Sequence, residues 1–124
     1  MPVDYSKYHP RWKKISQFIR FYRAQNHCEH CGVKNYSKGY WVDGIFWTVE
    51  AAHDHLSETG IDVFQDIPED KPPVKIVLTV AHLDHDIHNN SFFNLAALCQ
   101  RCHLNHDRLD NLRRRREKRF KNQL

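Results

Sequence analysis

The sequence predicts a small α+β domain with helices at its two ends and strands between them, on three observations. Residues 9–26 repeat apolar side chains at helical spacing, and Lys75-Ile76-Val77-Leu78-Thr79-Val80 reads as a strand. The only four cysteines fall in two Cys-x-x-Cys pairs, Cys28 with Cys31 and Cys99 with Cys102. A two-residue spacer lets both sulfurs of a pair reach one ion, and four thiolates complete a tetrahedral zinc site. The pairs therefore predict a structural Zn²⁺ held by Cys28, Cys31, Cys99 and Cys102. Two disulfides are the alternative and suit an oxidising compartment. The opening Met1-Pro2-Val3-Asp4 and its continuation lack a signal-peptide pattern, and no apolar run approaches a membrane span. This predicts a cytoplasmic setting, no membrane contact, and zinc over disulfides. At 124 residues one domain with a modest core is expected, the size that a metal supplements.

Taken in order, Pro10 suits a first helical position, and Trp12, Ile15, Phe18, Ile19 and Tyr22 form one stripe of an N-terminal helix over 9–26. Asn26-His27 ends it before the first cysteine pair. Cys31-Gly32 then reads as a zinc knuckle over 28–32, glycine allowing the turn that points amides at sulfur. Residues 33–74 are an insertion between the halves of the cysteine set. Within it, Tyr40-Trp41-Val42 and Ile45-Phe46-Trp47 flank Asp43-Gly44, a type I′ hairpin signal. Val49 to Thr59 reads as a helix with Thr48 as N-cap and Gly60 as stop. Ile61 to Ile67 is ambiguous, and Pro68 to Pro73 is a loop. After the strand at 75–80, Asp86 to Phe93 is a polar loop, and Asn94-Leu95-Ala96-Ala97-Leu98 leads to the second cysteine pair. A last helix starts about Cys99 and runs into a basic tail over 108–124.

Net charge is only +4, but it is unevenly spread. From Trp41 through Asp70 there is no Lys or Arg, while Asp43, Glu50, Asp54, Glu58, Asp62, Asp66, Glu69 and Asp70 make the insertion acidic. That surface is a candidate for a protein partner or a plain shield over the core. The tail holds Arg113, Arg114, Arg115, Arg116, Lys118 and Arg119, a candidate phosphate-binding surface whose bland counterpart is a solvated helix end.

Four segments carry a resemblance: Leu78-Thr79-Val80-Ala81-His82-Leu83-Asp84-His85, then Asn89-Asn90, Asn94-Leu95, and Leu98-Cys99-Gln100-Arg101-Cys102-His103. They resemble the HNH endonuclease family, above all small HNH proteins of bacteria and phages with a similar Ala-His-Leu-Asp-His run and a similar Cys-Gln-Arg-Cys-His-Leu stretch. Trp12-Lys13-Lys14-Ile15-Ser16, Arg23-Ala24 and Cys28-Glu29 fit the same group, so the likeness spans residues 10–32 and 75–107 and leaves out the insertion and the tail.

The resemblance implies a zinc-stabilised treble-clef, ββα-metal fold over 75–107. It also implies a metal-dependent endonuclease that hydrolyses phosphodiester bonds in DNA, nicking included, in a bacterial or phage-infected cell. His82 takes the position of the general base, a role an imidazole fills near neutral pH. Asn94 takes the position of the middle Asn, orienting the base or its loop. His103 takes the position of the metal-binding histidine, with Asp107 four residues on and therefore on the same helical face. The catalytic ion would be Mg²⁺, Mn²⁺, Ni²⁺ or Zn²⁺. His106 competes as a ligand, and a solvated histidine is its plain alternative. The family commonly has Asp or His just before the base, where this chain has Ala81, so either Asp84 supplies the substitute carboxylate or His82 itself becomes a ligand. Ala81 and the acidic insertion also motivate a second reading, a non-catalytic zinc-binding module that binds nucleic acid or a protein.

Overall fold

The computed structural model describes residues 5–123, the last two only as helix; Met1-Pro2-Val3-Asp4, where a signal peptide would begin, lies outside them. The chain is α+β. Helix α1 spans Trp12–Gln17 and continues as a wider π-helical segment, Phe18–Arg23. Strands β1 (Lys38–Val42) and β2 (Ile45–Thr48) precede helix α2 (Val49–Thr59). Strands β3 (Val74–Lys75), β4 (Thr79–His82) and β5 (Leu95–Leu98) lead into helix α3 (Gln100–Gln123). Two antiparallel sheets result, β2-β1-β3 and the hairpin β4-β5. Among the described residues no helix is long and apolar enough to cross a membrane.

The N-terminal helix begins two residues after Pro10, which lies in the preceding turn, and it does not stay α-helical to Asn26. Ala24 N–H reaches back five residues to Ile19 O at 2.9 Å, the mark of a π turn. The widened turn coincides with two demands. Ile19 is buried, and Arg23 donates to the Phe92 and Leu95 carbonyls and to Glu29 Oε1. Arg23 thereby ties the helix to both the first cysteine loop and the entry to β5.

The hairpin forms as its sequence dictates. Asp43 and Gly44 have φ of 49° and 82°, the two positive values of a type I′ turn. Thr48 Oγ1 accepts from Ala51 N–H at 3.0 Å, and Gly60 closes α2 with φ 76°. Gly39 is needed for another reason: a Cβ there would lie 1.9 Å from the Trp47 carbonyl oxygen of the paired strand.

The expected strand over 75–80 is split, and the split is what joins the two sheets. Ile76 still pairs with the Tyr36–Ser37 backbone, but Leu78 N–H is taken by the Asn35 side chain at 3.0 Å and Val77 N–H by the Gln100 side chain at 3.1 Å. Two side chains thus stand in for a neighbouring strand while the chain passes from the β1 sheet to the β4-β5 hairpin. Asn35 is 3 % exposed, and its amide also donates to Asn26 Oδ1, so it is a buried polar group with its main bonds made.

The core is thin. Trp12, Ile19, Ile76, Leu78, Ala81, Leu95, Ala97 and Leu98 pack directly around Cys28, Cys99 and Cys102. Three of the four sulfurs lie inside the apolar cluster, and Cys31 is at its exposed edge.

Gly39→Ala is expected to lower stability by about 1–3 kcal/mol through this backbone clash. A thermal melt matching that of the parent protein would show that the β1-β2 pairing relaxes around the methyl group.

Candidate metal centres

The first cysteine pair is shaped by its own loop. Cys28 N–H donates to Val33 O, Gly32 N–H donates to Cys28 O, and Gly32 takes φ 82°, which turns the chain back over the sulfurs. Glu29 then extends the β4-β5 hairpin: its N–H donates to Ala97 O at 2.8 Å, and its carboxylate accepts from Ala97 N–H at 2.9 Å. The second pair sits where β5 turns into α3. The four sulfurs lie within 4.8 Å of one another, and Cys31 Sγ is 3.7 Å from Cys99 Sγ.

That separation fits a shared ion. Two sulfurs each ~2.3 Å from a tetrahedral zinc stand ~3.8 Å apart. A disulfide needs ~2.0 Å, and all four cysteines are free thiols. Charge supports the same reading. Burial pushes the Cys28 thiol up, but backbone N–H donors from Cys31, Cys99 and His30 outweigh it and bring the group down to about 7. Burial pushes Cys31 up to about 11, and burial with the neighbouring thiols of Cys31 and Cys99 pushes Cys102 up as well. Neighbouring thiolates would repel one another, so all four can ionise together only around a cation. The four cysteines can hold a metal ion such as zinc.

The other candidate residues distribute over the two faces of the β4-β5 hairpin. Thr79 Oγ1 lies 2.7 Å from His103 Nδ1, so Thr79 and Ala81 face α3, while by strand alternation Val80 and His82 face α1. His82 stacks on Trp12 with ring centroids 4.8 Å apart and is 8 % exposed. Its Nε2 is 3.0 Å from Asn90 Oδ1. Asn90 Nδ2 is turned toward the Ile87 and His88 carbonyls, which fixes Oδ1 toward the ring. In this arrangement the Asn90 oxygen suits a His82 tautomer that donates from Nε2, which leaves Nδ1 as the acceptor of a neutral ring.

Asp84 and Asn94 meet, but in the loop rather than at His103. Asp84 accepts from Asn89 Nδ2 at 2.8 Å, from Asp86 N–H at 2.9 Å and from Asn94 Nδ2 at 2.9 Å. These donors, Asn89 first, hold its carboxyl down at about 2. The stabilisation that follows from this depressed value is present above the ordinary carboxylate range and is lost as pH falls through about 2. Asn94 closes the loop a second time, donating to Asn89 O at 2.7 Å and accepting from Asp84 N–H at 3.1 Å. Asp84 is not among the residues gathered at the hairpin–helix junction.

That junction holds His103 and Asp107, with Nε2 and Oδ2 3.3 Å apart, together with two histidines. His85, His106 and Asp107 each place a ligand atom within 4.8 Å of the others. His106 shares the α3 stripe of His103, Asp107 and Asp110, a spacing readable in the sequence. His85 had no sequence signal for this position; a left-handed backbone, φ 62°, brings it over α3.

Beyond this junction α3 runs for about 36 Å in total. Arg113 and Arg114 pair with Asp110 at 2.9 and 3.0 Å. Arg115, Arg116, Lys118 and Arg119 are exposed and make no ion pair among the described residues. Comparison with family models, with curated proteins and with solved structures yields no match.

If the four cysteines hold an ion, stripping it with a strong chelator is expected to abolish cooperative thermal unfolding, since three of the sulfurs belong to the core cluster; an unchanged melt would make the cysteines mere core residues. Asn94→Ala removes three hydrogen bonds and should cost about 1–3 kcal/mol in a denaturant titration.

Proposed function

We propose that this protein is a metal-dependent endonuclease of HNH type that hydrolyses phosphodiester bonds in DNA, with a zinc ion on the four cysteines as its structural clasp. One observation carries this reading: His103 and Asp107 lie side by side on α3, against the β4-β5 hairpin and at the root of an exposed arginine-rich helix. A site for a divalent cation and a surface for phosphates thus occupy one element. The order of hairpin and helix, with His82 on β4, Asn94 entering β5 and His103 on α3, matches what the sequence resemblance implies.

In this reading His82 is the general base. The Asn90 carbonyl keeps the proton on Nε2, so Nδ1 is the atom that takes a proton from water. Trp12 holds the ring in place by stacking. Asn94 is a positioning residue that fixes the Asp84–Asn90 loop on which this bond depends. A divalent ion bound beside His103, when present, offsets charge on the phosphate and on the leaving oxygen. Arg115, Arg116, Lys118 and Arg119 hold the backbone of the nucleic acid without reading its sequence.

A non-catalytic nucleic-acid-binding module is favoured by a different observation. His82 is buried on the α1 face, while His103 lies on the α3 face of the same hairpin. The two readings separate in one assay. Supercoiled plasmid incubated with Mg²⁺, Mn²⁺, Ni²⁺ or Zn²⁺ should be nicked, and His82→Ala and His82→Gln should each slow this by a hundredfold or more on a general-base reading. Equal rates in folded His82 variants would remove the base assignment; DNA binding with no cleavage under any of the four ions would favour the binding module. Replacing Arg113, Arg114, Arg115 and Arg116 by Ala should flatten the plot of log affinity against log salt by roughly 2 to 4. An unchanged slope would assign the tail to another partner.

A further inference from the structure

We propose that His85, His106 and Asp107 form a second metal centre, separate from the four cysteines, that takes a borderline divalent cation such as Zn²⁺, Ni²⁺ or Co²⁺. It specifies the ion that the proposed hydrolysis requires, and for its purpose rests on that reading.

Three features of these side chains point to an ion. The first is spacing. His85 Nδ1 lies 3.5 Å from Asp107 Oδ1, which is beyond an ordinary N–H···O hydrogen bond. It is close to the ~3.4 Å that separates two donors each ~2.1 Å from a tetrahedral ion. The third donor, from His106, lies within 4.8 Å of both, so the group needs to contract by only about 1 Å to ligate. The second is an orphaned atom. Nε2 of His106 is buried and has no hydrogen-bond partner, and a buried imidazole nitrogen left unpaired is costly. Among the described residues no side chain or backbone group meets that nitrogen.

The third feature is the way His85 is held. It stands in the left-handed region, φ 62°, with its N–H bonded to His82 O at 2.9 Å and its ring stacked on His106 at 4.7 Å. Asp84, on the other side of the turn, is fully engaged by Asn89, Asn94 and Asp86 and leaves the position open. His85 thus supplies from the loop a donor that Ala81, three per cent exposed in the core, cannot supply from the strand. Two imidazoles and a carboxylate suit a borderline ion and leave further positions for water or phosphate. The side chains of His85 and Asp107 are 29 and 31 % exposed, so those positions open to solvent. His103, bonded to Thr79 and 3.3 Å from the second Asp107 oxygen, adjoins this centre.

The full-length protein, its cysteine site loaded with zinc and weakly bound ions removed by brief chelation, is titrated with Co²⁺ and followed by calorimetry and visible absorption. The wild type should bind one further equivalent with a weak absorption lacking sulfur-to-metal bands. His85→Asn keeps a residue suited to the left-handed turn, and it and His106→Ala should each weaken this equivalent at least tenfold with zinc content unchanged. No further equivalent in the wild type, or the same affinity in both variants, overturns the site. Metal binding and nicking fail separately. An equivalent bound without plasmid nicking upholds the site and removes the endonuclease reading. Nicking that persists in His85→Asn with no equivalent bound does the reverse.

Discussion

The structure depends on drawing four sulfurs to one point from two places distant in the chain. Cys31 and Cys99 are 68 residues apart, yet their sulfurs stand 3.7 Å from each other. Closing so long a loop costs chain entropy, and the apolar side chains available to offset it are few. Trp12, Ile19, Ile76, Leu78, Leu95 and Leu98 are the larger ones, and they pack around the cysteines. Hydrogen bonds of the Glu29 backbone and carboxylate to the Ala97 backbone, and the guanidinium of Arg23, reinforce the same junction. Strand, knuckle and helix are therefore registered against one another by the sulfur cluster, and every other candidate site inherits its position from that registration.

The β4-β5 hairpin then acts as a partition. On one face Trp12 covers His82, and the Asn90 oxygen meets its Nε2. On the other, α3 carries His103, His106, Asp107 and Asp110 along one stripe, and His85 folds over them from the loop. Charge follows the same division along the chain. The insertion holds its acidic residues in the Asp43-Gly44 turn, on α2 and in the loops after it, and the arginine cluster falls in the C-terminal half of α3. An exposed cationic helix leading away from a histidine–carboxylate cluster is the arrangement behind the nuclease proposal, and the buried face of His82 is the arrangement behind the binding alternative.

Local elements were readable because their signals are local. The Asp43-Gly44 turn needs two positive φ values, Thr48 supplies an oxygen to an open helix N-terminus, and Gly60 tolerates the left-handed stop. Each is decided within about four residues. The reading of Lys75 to Val80 as one strand failed because propensity does not say which neighbour a strand has; the Asn35 and Gln100 side chains intercept its amides midway. The N-terminal helix departed from α geometry for a similar reason, since Arg23 answers to carbonyls at Phe92 and Leu95. Asn35 had no signal at all, and His85, though part of the Ala-His-Leu-Asp-His run, had none for a ligand role. A buried asparagine and a left-handed histidine acquire meaning only from what packs against them.

What the sequence alone determined is the cysteine spacing, the α+β order, the acidic and basic segments, and the shared face of His103 and Asp107. Spacing along a helix or a short loop is set by covalent geometry, so these follow without knowledge of the rest. Only the tertiary structure decided that His82 and His103 lie on opposite faces of a hairpin, that Asp84 belongs to its loop, and that His85 joins His106 and Asp107. Those outcomes depend on contacts between residues far apart in the chain, and no local rule fixes which side chain reaches a given point in space.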